Sequence, residues 1–586
     1  MSKKSSKASR YLKAPMKILI KARDFYIKSM TEYSNQIGYG SVMGCPTATG
    51  QLNTLPRSSA SSTSDGNRKK LIRAASTSRL GNKVQLEILK TQQPAARQSP
   101  KTRNHSLGIG RIDEDRPCEF EEDDFKVKTG VFPRSRTLAV LNRAAASFSV
   151  VNSLPGFNDP LPFKLETGYI GVDDTEFFYY FVESESNPEE DPLLLWLTGG
   201  PGCSSLSGFF FEIGPLRFNM VEYNGSLPTF LLNPYAWTKV SSIIFLDAPV
   251  GTGFSYSRTP QGFKTGDMKH ATSCYKFLRK WLESHPKFLT NPLYIAGDSY
   301  SGMIVPIITQ AVSDDIEDKG IPVLNLKGYL LGNPFTDGKF DRNSKIPYSN
   351  RMAFISDELY ESAKKNCKGE YTKVEASNKQ CANDLQAISE CTERINTMHI
   401  LEPYCPSEFP EENILENNRK SFLETYGGSL HMSAGYPQFG CRNYYCYLLK
   451  VWASDISVQK ALHTRKGTIQ EWIRCNKSMD YDYDVQSTLS YHLHLNKRGY
   501  RALIYSGDHD LAVPYVGTES WIKSMNLSIV DAWRPWFVDG QVGGYSRKYG
   551  NDFTFATVKG AGHTAPEYLP KECLSMFNRW ISQHPL

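Results

Sequence analysis

No run of roughly 18 apolar residues occurs in this 586-residue chain, which argues against a helical membrane span. Metal knuckles are missing as well. None of the 12 cysteines stands in a C-x2-C pair, and the 11 histidines form no cluster beside them. A secretory apolar core is absent where one is wanted: Arg136 and Arg143 break the stretch 134–146, and the run at 16–20 is short and basic. Acidic residues are scarce at one end only. Of 68 basic and 61 acidic residues, positions 1–110 hold 20 and 4, leaving 48 and 57 for the remainder. The formal charge of +7 therefore averages a strongly basic arm and a mildly acidic body, and nothing in the body calls for nucleic acid.

The first 145 residues are dominated by Gly, Pro, Ser, Thr and charges, with serines at 59–64, a basic knot at 68–70 and an acidic stretch at 113–124. That composition predicts disorder, with at most a helix over 14–33. A solvated tail is the preferred reading over an arm for RNA or an anionic membrane.

The body, 146–586, carries the chemistry. Gly297-Asp298-Ser299-Tyr300-Ser301-Gly302 follows the apolar run 292–296 and precedes a helix-like stretch at 303–312. A short buried strand, a serine among small residues and an immediate helix describe a nucleophile elbow. The turn admits only small neighbours and leaves the hydroxyl at a helix N-terminus, where negative charge is favoured.

A serine elbow requires an acid after a later strand and a histidine near the C-terminus. The strand-like run 501–506 opens into Gly507-Asp508-His509-Asp510, and the run 554–558 leads to Gly560-Ala561-Gly562-His563. His563 is the candidate base for Ser299, and Asp508 and Asp510 both stand where its orienting carboxylate belongs. The other aspartate would brace the turn. The tetrahedral oxyanion needs two N–H donors. The amide of Tyr300 supplies one, and the glycine-rich loop Thr198-Gly199-Gly200-Pro201-Gly202-Cys203-Ser204, entered from the apolar run 193–197, supplies the other.

Strand-like runs at 176–182, 193–198, 242–247, 292–297, 326–332, 501–506 and 554–558 alternate with helical or loop stretches such as the amphipathic 270–283. This predicts an α/β fold with a mostly parallel sheet and helices on both faces. Between about 340 and 490 the pattern breaks into a cysteine-rich insertion, with a helix expected over 357–368, read as a cap over the strand ends. Tyr444, Tyr445 and Tyr447 in it are expected in the core rather than lining a pocket. Ten cysteines lie in the body, seven of them between Cys367 and Cys475, which favours disulfides in an oxidising compartment. Sequons begin at Asn224, Asn476 and Asn526 and would accept glycans there.

Four motifs in this order, Leu195–Ser205, Gly297–Gly302, Gly507–Asp510 and Gly560–His563, resemble the plant serine carboxypeptidase-like family. The segments 209–215 and 245–256 strengthen the likeness, which runs from about Leu154 to the C-terminus. The resemblance implies an α/β-hydrolase fold and a triad of Ser299, His563 and Asp510, with Gly200 and Tyr300 as oxyanion donors. It also implies the disulfides Cys203–Cys475, Cys367–Cys381 and Cys405–Cys441, and a vacuolar or extracellular location. No cofactor is implied.

The family divides into peptidases and acyltransferases that use glucose esters. Both pass through an acyl-serine, so the triad does not separate them. By resemblance the peptidases carry Asn at Thr198 and Glu at Asp298, and use those side chains with Glu212 to bind a peptide carboxylate. Thr198, Gly199, Glu212 and Asp298 are thus the candidate substrate-binding residues. Thr198 offers no amide N–H and Asp298 is one methylene shorter than Glu. Transfer from an acyl glucose to an acceptor hydroxyl is accordingly expected, with release of C-terminal amino acids as the alternative and a non-catalytic scaffold as a third reading. Family members usually begin with a signal peptide, so the basic arm is read as a fused or mis-joined segment, the other option being a cytosolic protein with unformed disulfides.

Overall fold

The computed structural model describes residues 147–319, 324–405, 439–469 and 471–586, all within the unit 132–586. The expected helix at 14–33 and the polar loop at 410–418 lie outside the described residues. Eleven strands build the central sheet: β1 (Ser147–Val151), β2 (Leu165–Val172), β3 (Thr175–Val182), β4 (Leu193–Leu197), β5 (Ser242–Leu246), β6 (Leu293–Asp298), β7 (Leu326–Gly332), β8 (Arg501–Gly507), β9 (Ile529–Val538), β10 (Gln541–Tyr549) and β11 (Phe553–Val558). Their spatial order is β1-β2-β3-β5-β4-β6-β7-β8-β11-β10-β9, and the short strand Tyr256–Ser257 pairs with β3. The six strands from β5 to β11 in that order are mutually parallel. The flanks β1-β2-β3 and β10-β9 are antiparallel. This is the α/β-hydrolase fold. All seven strand-like runs are strands of this sheet.

The parallel strands are largely apolar because both faces are covered. Successive residues alternate between two cores: Leu194, Trp196, Phe245, Ala296 and Leu503 point into one, Leu193, Leu195, Leu197, Ile295 and Ile504 into the other. Helices α1 (Asp267–Ser284) and α2 (Val305–Lys319) cover the second face. Helices α3 (Asn443–Ser454) and α4 (Pro570–Ile581) cover the first. α1 buries Ala271, Cys274, Phe277, Leu278, Trp281 and Leu282, spaced by three and four, and stops at His285 before Pro286.

The chain between β7 and β8 contains the helices Asp357–Cys367 and Lys379–Thr392, cross-linked by Cys367–Cys381. Cys405–Cys441 joins the residues flanking 406–438. Tyr444 and Tyr447 are buried in the first core and Tyr445 is half-buried beside them. This segment is hydrogen-bonded to the loops at the strand ends: the Met398 carbonyl accepts the His563 N–H at 2.7 Å, the Thr397 carbonyl accepts the Leu511 and Ala512 amides at 3.0 and 2.9 Å, and the Tyr348 hydroxyl donates to the Asp508 carbonyl at 2.8 Å.

Candidate active site

Strand register assembles the site. Leu197 pairs with Gly297, Asp298 with Gly332, Gly332 with Tyr505 and Gly507 with Val558, so five parallel strands end within a few residues of one another at one edge of the sheet. The residues just past those ends are Thr198, Ser299, Asn333, Asp508 and Lys559, at the edge where open α/β sheets carry their sites.

Ser299 sits at φ +55, a left-handed conformation that few side chains tolerate. It is held because the elbow turns directly from β6 into a short helical turn at Ser299–Met303. Its hydroxyl lies 2.8 Å from His563 Nε2, and His563 Nδ1 lies 2.8 Å from Asp510 Oδ2. The Nδ1 proton therefore faces the carboxylate and Nε2 is left to accept from serine. Geometry separates the two aspartates. Asp508 Oδ1 bonds to His509 Nδ1 and accepts the Gly560 N–H, both at 2.6 Å, so it braces the histidine loop. Asp510 is fully buried, and its Oδ1 accepts the Ala512 and Val513 amides at 2.7 and 3.1 Å.

A residue without a motif completes that arrangement. Asn333, buried at φ +43 after β7, donates from Nδ2 to Asp510 Oδ2 at 2.8 Å, while its Oδ1 accepts the Gly507 N–H at 3.2 Å. An asparagine at a strand end reads as turn chemistry, which hides this role.

The glycine-rich loop presses against the elbow. A Cβ on Gly199 would meet Ser299 Cβ and the Tyr300 amide nitrogen, each at 2.7 Å, so only glycine fits. Gly200, at φ +122, also needs glycine and is exposed next to that contact. Cys203–Cys475 ties the loop to the last part of the insertion.

On the other flank, Asp298 Oδ1 accepts the Gly199 N–H at 3.1 Å, and Thr198 Oγ1 accepts the Trp196 indole N–H at 3.3 Å. Glu212 is buried with Oε2 unpartnered. Burial, then the charges of Asp298 and Glu567, pushes Glu212 well above the carboxylate range against the pull of Arg474. Burial also pushes Asp298 up to about 6, opposed chiefly by His563 and the Gly199 N–H. For His563, burial disfavours the charged ring, but the charge and hydrogen bond of Asp510, helped by Asp298, more than offset it and raise the imidazole above its ordinary value.

Of the sequons, Asn224 and Asn526 are exposed, whereas Asn476 is half-buried with its amide donating to the Gly251 carbonyl at 3.0 Å. Among the described residues no group of His, Cys, Asp and Glu is placed to hold a metal, and no helix is long and apolar enough to cross a membrane.

A serine, histidine and aspartate in hydrogen-bonded series at the carboxyl edge of this sheet define a serine hydrolase of the α/β-hydrolase class. The serine carboxypeptidase family model matches residues 155–583, and the chain belongs to that family. It is 50% identical over 443 residues to serine carboxypeptidase-like 2 of Arabidopsis thaliana, covering 75% of this chain and 94% of that protein. It is 48% identical over 452 residues to serine carboxypeptidase-like 10 of the same plant, covering 77% and 98%. In fold it is similar to Kex1Δp, a prohormone-processing carboxypeptidase from Saccharomyces cerevisiae, with a TM-score of 0.57 at 20% identity over 72% of this chain and 92% of that one. A second family model, described as an uncharacterised conserved protein, matches residues 8–139.

Proposed function

We propose that this protein transfers an acyl group, of the hydroxycinnamoyl kind, from a glucose ester to an acceptor hydroxyl through an acyl-Ser299 intermediate. Ser299 Oγ attacks the ester carbonyl while its proton passes to His563 Nε2, and Asp510 holds the Nδ1 proton and stabilises the imidazolium. The Gly200 and Tyr300 amides receive the oxyanion. Glucose leaves with the proton from His563. An acceptor hydroxyl then loses its proton to His563 and displaces Ser299, forming the new ester.

The observation that carries this reading is the state of Thr198 and Asp298. Both are turned to groups of this chain, the Trp196 indole and the Gly199 amide, and neither presents the amide donor by which the peptidases of the resemblance hold a carboxylate. A cavity of about 200 Å³ beside the Tyr300 side chain is lined by Tyr300, Phe335 and Tyr483 together with Gly338, Arg342, Val485 and Gln486, and its rings offer stacking surfaces for an aromatic group. Peptide hydrolysis is the second reading, favoured by Glu212, whose carboxyl burial pushes well up, as suits sharing a proton with a carboxylate. The disulfides and the family fit passage through the secretory pathway to the vacuole or cell exterior. The two family matches, 8–139 and 155–583, do not overlap, which supports reading the chain as two joined parts.

The test offers the protein a hydroxycinnamoyl glucose ester with a panel of alcohols, and a blocked dipeptide in parallel, between about pH 5 and 7, a range that spans the ordinary histidine value. New ester that is lost in Ser299→Ala supports transfer. Free amino acid without ester supports the peptidase.

A further inference from the structure

The side chain of Tyr300 runs away from its own amide to a carboxylate that the triad does not use. Asp267, the first residue of α1, is buried. Its Oδ1 accepts the Tyr300 hydroxyl at 2.9 Å and the Tyr481 hydroxyl at 2.8 Å, and its Oδ2 accepts the Val485 N–H at 2.9 Å. Three separate stretches of chain, the elbow, the start of a core helix and the segment 481–485, thus meet on one side chain. The last of these walls the aromatic cavity through Tyr483 and Val485. Tyr300 is further fixed by stacking on Phe335 at 6.0 Å and 12°, and the Phe335 N–H donates to the Ser299 carbonyl at 2.8 Å.

We propose that Asp267 is a positioning residue, which sets the Tyr300 amide at the oxyanion by holding the far end of the Tyr300 side chain. This rests on the acyl-Ser299 reading above. An oxyanion donor works only when it is aimed before the reaction, so a donor whose residue is anchored at both ends outperforms one held by backbone alone. Tyr300 has that second anchor, and α1, packed against the sheet along its length, makes it rigid. The carboxylate takes two hydroxyl donors and one amide donor, so each phenol keeps its proton and points inward. Burial and the Asp267 charge both push the Tyr300 phenol far up, consistent with a permanent donor.

The two tyrosines make the test discriminating, because each gives Asp267 one hydrogen bond but only Tyr300 carries an oxyanion amide. The full chain is mixed with 4-nitrophenyl acetate and with a 4-nitrophenyl hydroxycinnamate, and the burst of nitrophenol reports the acylation rate. Tyr300→Phe and Asp267→Asn should each slow acylation about 10- to 100-fold, part of the loss from removing an oxyanion donor, with the donor concentration at half-saturation little changed. Tyr481→Phe should stay within about twofold of wild type in acylation rate while lowering the melting temperature as much as Tyr300→Phe, because each loses one hydrogen bond to the same carboxylate. Equal rates for Tyr300→Phe and wild type would overturn the proposal. So would equal slowing by the two tyrosine variants, the signature of a purely structural node. A wild type that gives neither a burst nor a fluorophosphonate adduct on Ser299 would instead remove the acyl-serine reading, and the positioning role with it.

Discussion

Asp510 and Asp298 are both buried aspartates close to Ser299, yet their surroundings differ in almost every respect. Asp510 collects the Ala512 and Val513 amides, the Asn333 side chain and His563. Asp298 accepts the Gly199 N–H and faces Glu212, whose Oε2 has no partner. Donors stabilise an ionised carboxylate, and a second carboxyl in a dry site destabilises it. The Asp510 flank is therefore built to hold charge opposite an imidazolium. The Asp298 and Glu212 flank pushes both carboxyls up, and on the proposed function such an acid would meet substrate oxygens as a donor. On the proposed function, one residue type serves chemistry on one side and selection on the other, and the donors around it decide which.

The comparison breaks most visibly on the charged side. Asp510→Asn should cost about 10^4-fold in kcat, because the amide favours the wrong imidazole tautomer, while substrate affinity changes little. Asn333→Ala should cost about 10- to 100-fold, the loss of one hydrogen bond to a buried charge, with the acid limb of the rate profile displaced. Full activity in Asn333→Ala would show that the Ala512 and Val513 amides suffice.

On the selecting side the effects are smaller and appear in pH and product. The Asp298 charge helps to raise His563, so Asp298→Asn should move the acid limb of kcat/KM to lower pH, with the limiting rate within about 10-fold of wild type. Thr198→Asn combined with Asp298→Glu should increase amino-acid release from a blocked dipeptide about 10-fold relative to ester formation. No change in that ratio would remove both residues from selection. The smallest expected effect is on stability. Asp298 has its carboxyl raised from 3.8 to about 6, so its contribution is greatest below the unfolded value and is lost as pH rises through about 6. Asp298→Asn should accordingly raise the melting temperature at pH 7 and leave it nearly unchanged at pH 4.

Much of this was legible from residues because the parallel strands are buried on both faces and read as continuous apolar runs, β4 most plainly. Of the flanking strands only β3 carries such a signature. β2 contains Glu166, which is buried against Tyr179 and His285, and β9 is largely exposed and interrupted by bulges. At the site, Ser299 and His563 announce themselves by neighbouring glycines, whereas Asp508 and Asp510 stand two apart and only hydrogen-bond direction separates them. Asn333 and Asp267 reach their partners through strand register and through a helix start, and neither leaves a pattern in the sequence.

The most direct test of the central claim is to mix the protein with a hydroxycinnamoyl glucose ester, quench, and locate the acyl group by peptide mass. The account predicts an adduct on the peptide carrying Ser299, with decay hastened by an acceptor alcohol and replaced by new ester. No adduct, or an adduct whose decay every alcohol in the panel leaves unchanged while a blocked dipeptide yields free amino acid, would contradict it.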